Sequence, residues 1–69
     1  ESIKCYNEAI RINPKDPIIY SNRATSYLKL SDYSNSLKDI EKSLSFEPKN
    51  IKFLYKKSQI ENYSEKYHK

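Results

Sequence analysis

The feature that most constrains this chain is a repeat of 34 residues, marked most clearly by Pro14 and Pro48. Apolar, small and charged positions recur at the same offset, so chance periodicity in a chain rich in Lys, Ser and Asn explains the pattern poorly. A period of this length with helix-turn-helix content predicts a stack of helical hairpins. The matched pairs are Ser2/Ser36, Ile3/Leu37, Lys4/Lys38, Ala9/Ser43, Ile10/Leu44, Lys15/Lys49, Asp16/Asn50, Tyr20/Leu54, Arg23/Lys57 and Ala24/Ser58.

The spacing of apolar residues predicts helices throughout, because they recur every three or four residues along one face. Ser36 and Ser43 interrupt this pattern with small side chains, where we expect two helices to approach closely. The predicted apolar stripes are Ile3, Tyr6, Ala9 and Ile10 in the first helix and Tyr20, Ala24, Tyr27 and Leu28 in the second. The third helix is expected to bury Tyr33, Leu37, Ile40 and Leu44.

Helix starts and stops are also readable in the sequence. Asp16 followed by Pro17 is a strong start, since the Asp side chain accepts from free N–H groups and proline at the first helical position loses no hydrogen bond. Ser31 and Asp32 are expected to cap the third helix, and Asn50 the fourth. Pro14 and Pro48 end the helices before them, because the residue before a proline is pushed out of the α region.

These signals predict an all-α chain in which residues 1–69 form one small domain. Residues 1–14 are assigned to the second helix of one repeat, 17–48 to a complete repeat, and 51–66 to the first helix of the next. After Ile60 the repeat pattern weakens, so the last helix either turns or continues. We expect one continuous helix, because the polar residues there are weak breakers without Gly or Pro.

Composition and residue spacing disfavour several kinds of fold and function. The absence of Gly argues against a hairpin-rich β fold, and no apolar run approaches the ~20 residues of a membrane span. Cys5 is predicted to be a small packed thiol and not a reactive one, because no His or helix N-terminus is at hand to activate it. His68 is predicted to be solvated, because no second ligand lies at metal-binding spacing from it. No cofactor, metal or catalytic set is predicted. The seven Tyr are spaced as helix core, which disfavours nucleic-acid binding.

The segment YSNRATSYLKLSDYSNSLKDIEKSLSFEP, together with its flanks NEAIRINPKDPIIYSNRA and EPKNIKFLYKKSQ, resembles the tetratricopeptide repeats of co-chaperones that organise heat-shock chaperones. The resemblance covers residues 1 to about 60. It departs from the family at Ser31, where glycine is usual, and at Ser36 and Ser43, where alanine is usual.

This resemblance implies a site for the acidic C-terminal peptide of the seventy- and ninety-kilodalton heat-shock chaperones, which ends in Glu-Glu-Val-Asp. In the family, the first helices of three repeats line an inner surface that clamps the terminal carboxylates. The matching positions here are Asn22, from a Ser-Asn-Arg run, together with Lys52 and Lys56, with Lys56 standing where the family has arginine.

The residue spacing is compatible with such a clamp. Lys52 and Lys56 are four residues apart, so they share one face of a helix, and Asn22 lies on the equivalent face one repeat earlier. An amide beside two ammonium groups suits a carboxylate. Arg23 and Lys57 are expected to turn away and form salt bridges between helices. Further groove-lining candidates are Ser21, Thr25, Tyr55 and Gln59.

The leading interpretation is therefore a non-enzymatic, cytoplasmic peptide-binding module without membrane or nucleic-acid partners. A tetratricopeptide scaffold for another protein is one alternative, and an appendage of an enzyme such as a phosphatase or prolyl isomerase is another. The terminal helices are also expected to leave apolar faces uncovered, which predicts self-association between copies of the chain.

Overall fold

Four helices make up the computed structural model, which describes residues 2–67 of the chain. They are α1 (Ser2–Ile12), α2 (Pro17–Lys29), α3 (Tyr33–Phe46) and α4 (Ile51–Tyr67). No strand occurs between residues 2 and 67, so the predicted all-α fold of stacked helical hairpins is confirmed. The helix α4 continues past Ile60 without a turn, as expected. His68 lies outside the described residues.

Three of the predicted capping residues, Asp16, Asp32 and Asn50, fix where the next helix begins. Ser31 does not cap α3, because it lies in the turn that ends α2. The Asp16 carboxylate accepts a hydrogen bond from the Ile18 N–H at 2.9 Å, and the Asn50 side chain accepts one from the Lys52 N–H, also at 2.9 Å. Asp32 accepts more weakly from the Asn35 N–H at 3.4 Å. Each bond satisfies a backbone donor that has no partner within its helix.

The core forms where α3 packs between α2 and α4, and it consists of Ala24, Ile40, Phe53 and Ile60. The helices form a thin wall, with Cα extents of 35 × 29 × 13 Å, so positions at the edge of a stripe keep contact with solvent. For this reason the prediction that Tyr33, Leu37 and Leu44 are buried is only partly right. These residues are partly buried, and Leu37 and Leu44 pack against the edge of the core.

One prediction about α1 is wrong. Cys5 was expected to be a packed thiol, but it is exposed. Among the described residues α1 packs extensively only against α2, and Cys5 lies off the stripe that makes this contact. Its thiol is therefore open to solvent.

The close approach of α3 to α2 depends on Ser36 and Ser43, which are both fully buried. The Ser36 hydroxyl donates to the Ala24 carbonyl at 2.6 Å, and the Ser43 hydroxyl donates to the Pro17 carbonyl at 2.8 Å. The sequence predicted small residues here, but it did not predict that their hydroxyls would bond to the neighbouring helix. Each buried hydroxyl thereby has a hydrogen-bond acceptor, without which its burial would be costly.

The 34-residue period is also present in the contacts. The Arg23 guanidinium donates to the Asn7 side chain at 2.7 Å, and Lys57 forms an ion pair with Glu41 at 3.8 Å. Lys57 is the repeat counterpart of Arg23, and Glu41 is the counterpart of Asn7. The α3–α4 pair therefore repeats the α1–α2 pair, down to individual side chains.

The turn between α2 and α3 contains the one strained backbone position among the described residues, Ser31, whose φ is 61°. The Ser31 N–H bonds to the Leu28 carbonyl at 3.0 Å, and the Asp32 N–H bonds to the Tyr27 carbonyl at 2.9 Å. This pair of bonds defines a Schellman motif, in which the residue at this position adopts the left-handed conformation that favours glycine.

Replacing Ser31 with glycine is expected to stabilise the chain by about 1 kcal/mol, because glycine has no Cβ to clash in the left-handed region. This corresponds to a rise of roughly 4–8 °C in Tm, measurable by circular dichroism at 222 nm. Ser58→Gly, in the interior of α4, is the control and should lower stability by about 0.5 kcal/mol. A lower Tm for Ser31→Gly would contradict this account of the turn.

Candidate peptide-binding groove

The helices α2 and α4 meet through a polar contact. The Lys56 Nζ donates to the Thr25 Oγ1 at 2.7 Å, and the Thr25 hydroxyl in turn donates to the Ser21 carbonyl at 3.2 Å. Three predicted site residues, Ser21, Thr25 and Lys56, are therefore brought together. Because the partner of Lys56 is a neutral hydroxyl, its positive charge is not neutralised by this contact.

Asn22 and Lys52 flank this contact and are both exposed. Asn22 lies three residues before Thr25 on α2, and Lys52 lies four residues before Lys56 on α4, so each is about one helical turn from the α2–α4 contact. The Asn22 side chain and the Lys52 ammonium have no hydrogen-bond or ion-pair partner among the described residues. Both are free to meet a ligand.

Tyr55 and Gln59 lie on a different part of the surface. They line a shallow depression of about 420 Å³ on the free side of α4, together with Ser58, Asn62, Tyr63 and Lys66. By the 34-residue period, Tyr55 and Gln59 are the counterparts of Ser21 and Thr25. They therefore occupy the equivalent positions one repeat further along, and not the contact between α2 and α4.

Arg23 is bonded to α3, as expected. Its guanidinium forms two hydrogen bonds of 2.7 Å with the two Asp39 oxygens, and its carbon lies 5.8 Å from the ring centres of Tyr20 and Tyr27. Hydrogen bonding to the Asp39 carboxylate, which accepts from the guanidinium, is the main cause that raises the pKa of Arg23 above its ordinary value. The guanidinium therefore stays charged and locks α2 to α3. With the Lys57–Glu41 pair, both predicted interhelical salt bridges are confirmed.

Sequence reasoning missed a second depression, of about 410 Å³, at the turn between α2 and α3. It is lined by Leu28, Lys29, Ser31, Tyr33 and Tyr63. The one sign of it in the sequence is the spacing of Tyr33 and Tyr63, which is 30 residues where the repeat would give 34. Because α4 continues without a turn, Tyr63 extends alongside the α2–α3 connection.

Comparison with known proteins identifies the repeat. A family model described as "TPR repeat" matches residues 1–31, and one described as "Tetratricopeptide repeat" matches residues 18–50. The chain belongs to the tetratricopeptide repeat family. Tetratricopeptide repeats are modules for protein interaction, built so that neighbouring helical hairpins share one continuous core.

Several curated proteins contain a similar tetratricopeptide segment. The chain is 45% identical to the Hsp70-Hsp90 organizing protein of Triticum aestivum over all of its residues, and 39% identical to the Hsp70-Hsp90 organizing protein 2 of Arabidopsis thaliana over 97% of them. It covers 12% of the length of each. It is also 35% identical to the human serine/threonine-protein phosphatase 5 over 83% of the chain and 11% of that protein. No solved structure gives a significant match.

None of the helices within residues 2–67 combines the length and apolar character that crossing a bilayer requires. Over the same range, no cluster of three or more His, Cys, Asp and Glu side chains could hold a metal ion.

Proposed function

We propose that this tetratricopeptide segment is a non-enzymatic, cytoplasmic co-chaperone module that binds the acidic C-terminal peptide of heat-shock chaperones. The contact between Lys56 and Thr25 supports this proposal most directly, because it joins α4 to α2 one turn from both Asn22 and Lys52. The proposed partner follows from the relatives, which are named as organizers of Hsp70 and Hsp90. Within the module, residues 17–48 form the complete repeat, preceded and followed by the partial repeats 1–14 and 51–66.

The proposed chemistry is a partial carboxylate clamp. The ammonium groups of Lys52 and Lys56 and the amide of Asn22 would donate to the carboxylates at the peptide's end, and hydrogen bonds to a charged acceptor are about twice as strong as neutral ones. Lys56 offers a single point charge instead of the two-pronged donor that arginine provides, so its hold on the peptide is less directional. Exposed ion pairs contribute only about 0–1 kcal/mol each. We therefore expect this segment alone to bind more weakly than 1 μM, which would need about −8 kcal/mol.

A peptide titration tests the clamp. A labelled peptide ending in Glu-Glu-Val-Asp is expected to bind the chain at about 0.15 M salt, where the Debye length is about 8 Å. An otherwise identical peptide with an amidated C-terminus should bind at least several-fold more weakly, because it lacks the terminal carboxylate. Lys52→Glu is expected to weaken binding about tenfold or more, since it replaces an attraction with a repulsion worth roughly 1.4 kcal/mol in total. Asn22→Ala should also weaken it, by a few-fold.

The matched control is Lys38→Glu, which makes the same charge change at an exposed position on α3. It should change the peptide affinity by less than about twofold once salt screens long-range attraction. Equal losses for Lys38→Glu and Lys52→Glu would mean that net charge, and not a clamp, attracts the peptide. Unchanged affinity in both Lys52→Glu and Asn22→Ala would refute the proposed site.

The second candidate role is that of an interaction segment attached to an enzyme. The observation that favours it is the similarity to serine/threonine-protein phosphatase 5, which covers 83% of this chain. In that case the segment itself would still bind protein, and the reaction would be carried out by another part of the parent protein. The sequence that flanks this segment in its gene distinguishes the two roles.

A further inference from the structure

The three lysines in the first half of α4 differ in how their ammonium groups are held. Lys52 is exposed, and its ammonium has no hydrogen-bond or ion-pair partner among the described residues. Lys57 forms an ion pair with Glu41 at 3.8 Å. Lys56 is partly buried, and its Nζ donates to the Thr25 Oγ1 at 2.7 Å. Of these three lysines, Lys56 therefore combines a fixed position with a charge that no acidic residue neutralises.

The Thr25 hydroxyl is itself oriented by the backbone of α2. A hydroxyl has one hydrogen to donate and lone pairs that accept. Thr25 donates that hydrogen to the Ser21 carbonyl at 3.2 Å, one helical turn earlier, which is a bond that selects the threonine rotamer in a helix. The lone pairs are left to accept from Lys56. The backbone of α2 thereby fixes where the Lys56 ammonium lies.

This contact changes what it costs Lys56 to meet a ligand. A lysine has a flexible stem, and the rotamer freedom that it loses when a ligand fixes its ammonium weakens binding. Lys56 has given up part of that freedom before any ligand arrives. An ammonium also has three N–H donors, so the bond to Thr25 leaves two for a ligand. The contact therefore prepares the ammonium for a ligand and does not occupy it.

We propose that Thr25 is a positioning residue, which holds the Lys56 ammonium between α2 and α4, where it donates to a carboxylate of the bound peptide. This role rests on the proposed function, because it concerns the same groove. A lysine lacks the planar, preorganised donors of arginine, so a second contact is needed to fix its ammonium. Thr25 supplies that contact from the neighbouring helix, and Lys52 has no equivalent.

Removing the hydroxyl tests the role of Thr25. Thr25→Val keeps the branched shape of the side chain, and it should weaken binding of the peptide ending in Glu-Glu-Val-Asp about three- to tenfold, which is the cost of immobilising one more long side chain. Thr25→Ser, which restores the hydroxyl, should recover most of this loss. Circular dichroism verifies that both variants are folded. Tighter binding by Thr25→Val, or an equal loss in Thr25→Ser, would overturn the proposal.

A double-mutant cycle identifies the group that Thr25 positions. In a Lys56→Met background, Thr25→Val should change the peptide affinity by less than about twofold, because the ammonium that it positions is absent. The matched control is Lys52→Met, which removes a charge from the same helix. In that background Thr25→Val should keep its full effect. Equal effects of Thr25→Val in the two backgrounds would contradict a specific link to Lys56.

A measurement without peptide distinguishes this role from the proposed function. NMR order parameters of the lysine side chains should be higher for Lys56 than for Lys52, and in Thr25→Val the value for Lys56 should fall to that of Lys52. If the wild-type chain binds no peptide, the proposed function fails and the role of Thr25 in binding fails with it. If the chain binds the peptide but Lys56 is as mobile as Lys52, or Thr25→Val leaves the affinity unchanged, only the positioning role is refuted.

Discussion

Replacing Ile40 with alanine is expected to lower the free energy of unfolding by about 3–4 kcal/mol. Ile40 is fully buried and belongs to the core cluster with Ala24, Phe53 and Ile60, where α3 packs between α2 and α4. Truncating a buried isoleucine removes apolar contacts and leaves a cavity that the surroundings fill only in part. A chain of 69 residues has a total free energy of unfolding of about 3–10 kcal/mol, so this single change would remove a large part of it.

The loss is measured by urea unfolding, followed by circular dichroism at 222 nm in the same fixed concentration of trimethylamine N-oxide for every variant. The osmolyte raises the stability of all variants so that the least stable one still has a folded baseline. The control is Ile12→Ala, since Ile12 is 71% exposed and its truncation should cost less than about 0.5 kcal/mol. Equal urea midpoints for the two alanine variants would contradict the assignment of Ile40 to the core.

The second large effect is expected at Arg23, where replacement by methionine should cost about 3–5 kcal/mol. The Asp39 carboxylate is 7% exposed and depends on the two guanidinium hydrogen bonds for compensation. Removing one partner of a buried ion pair leaves the other charge buried without a partner. The stacking of the guanidinium on Tyr20 and Tyr27 is lost at the same time.

Two further variants isolate the cause of this loss. Arg11→Met removes the exposed ion pair with Glu8 and should cost only about 0–1 kcal/mol, although the substitution is the same. The double variant Arg23→Met with Asp39→Leu removes both charges and is expected to recover most of the stability, because buried pairs can often be replaced by apolar residues. If the double variant were no more stable than Arg23→Met alone, an unpaired carboxylate would not be the cause.

Much of the architecture follows from local signals that the sequence carries explicitly. Asp16 and Asn50 were recognisable as caps because short side-chain acceptors before a helix have few other roles, and both cap as predicted. The 34-residue offset located the helices and paired Arg23 with Lys57 as residues that bridge helices. In each case the outcome depends on a few neighbouring residues or on one repeated spacing.

Other features depend on which helices pack against each other, and the spacing of apolar residues along one helix does not predict that. Cys5 and Ile40 occupy similar positions beside or within apolar stripes, yet one is exposed and the other is fully buried, because α3 has packed neighbours on both sides. The hydroxyl bonds of Ser36 and Ser43 were equally hidden, since a serine in place of alanine indicates only a small volume. For the candidate groove, the sequence placed Lys52 and Lys56 on one helix face, but the link from Lys56 to Thr25 required the fold.

The buried hydroxyls of Ser36 and Ser43 also indicate how such a wall would deform under load. They fasten α3 to α2 at two points seven residues apart, through short bonds to backbone carbonyls. The next boundary, between α3 and α4, has a looser polar link, the part-exposed Lys57–Glu41 pair at 3.8 Å. A force that separates the helices would therefore break buried hydrogen bonds between α2 and α3, but would act mainly against apolar packing between α3 and α4.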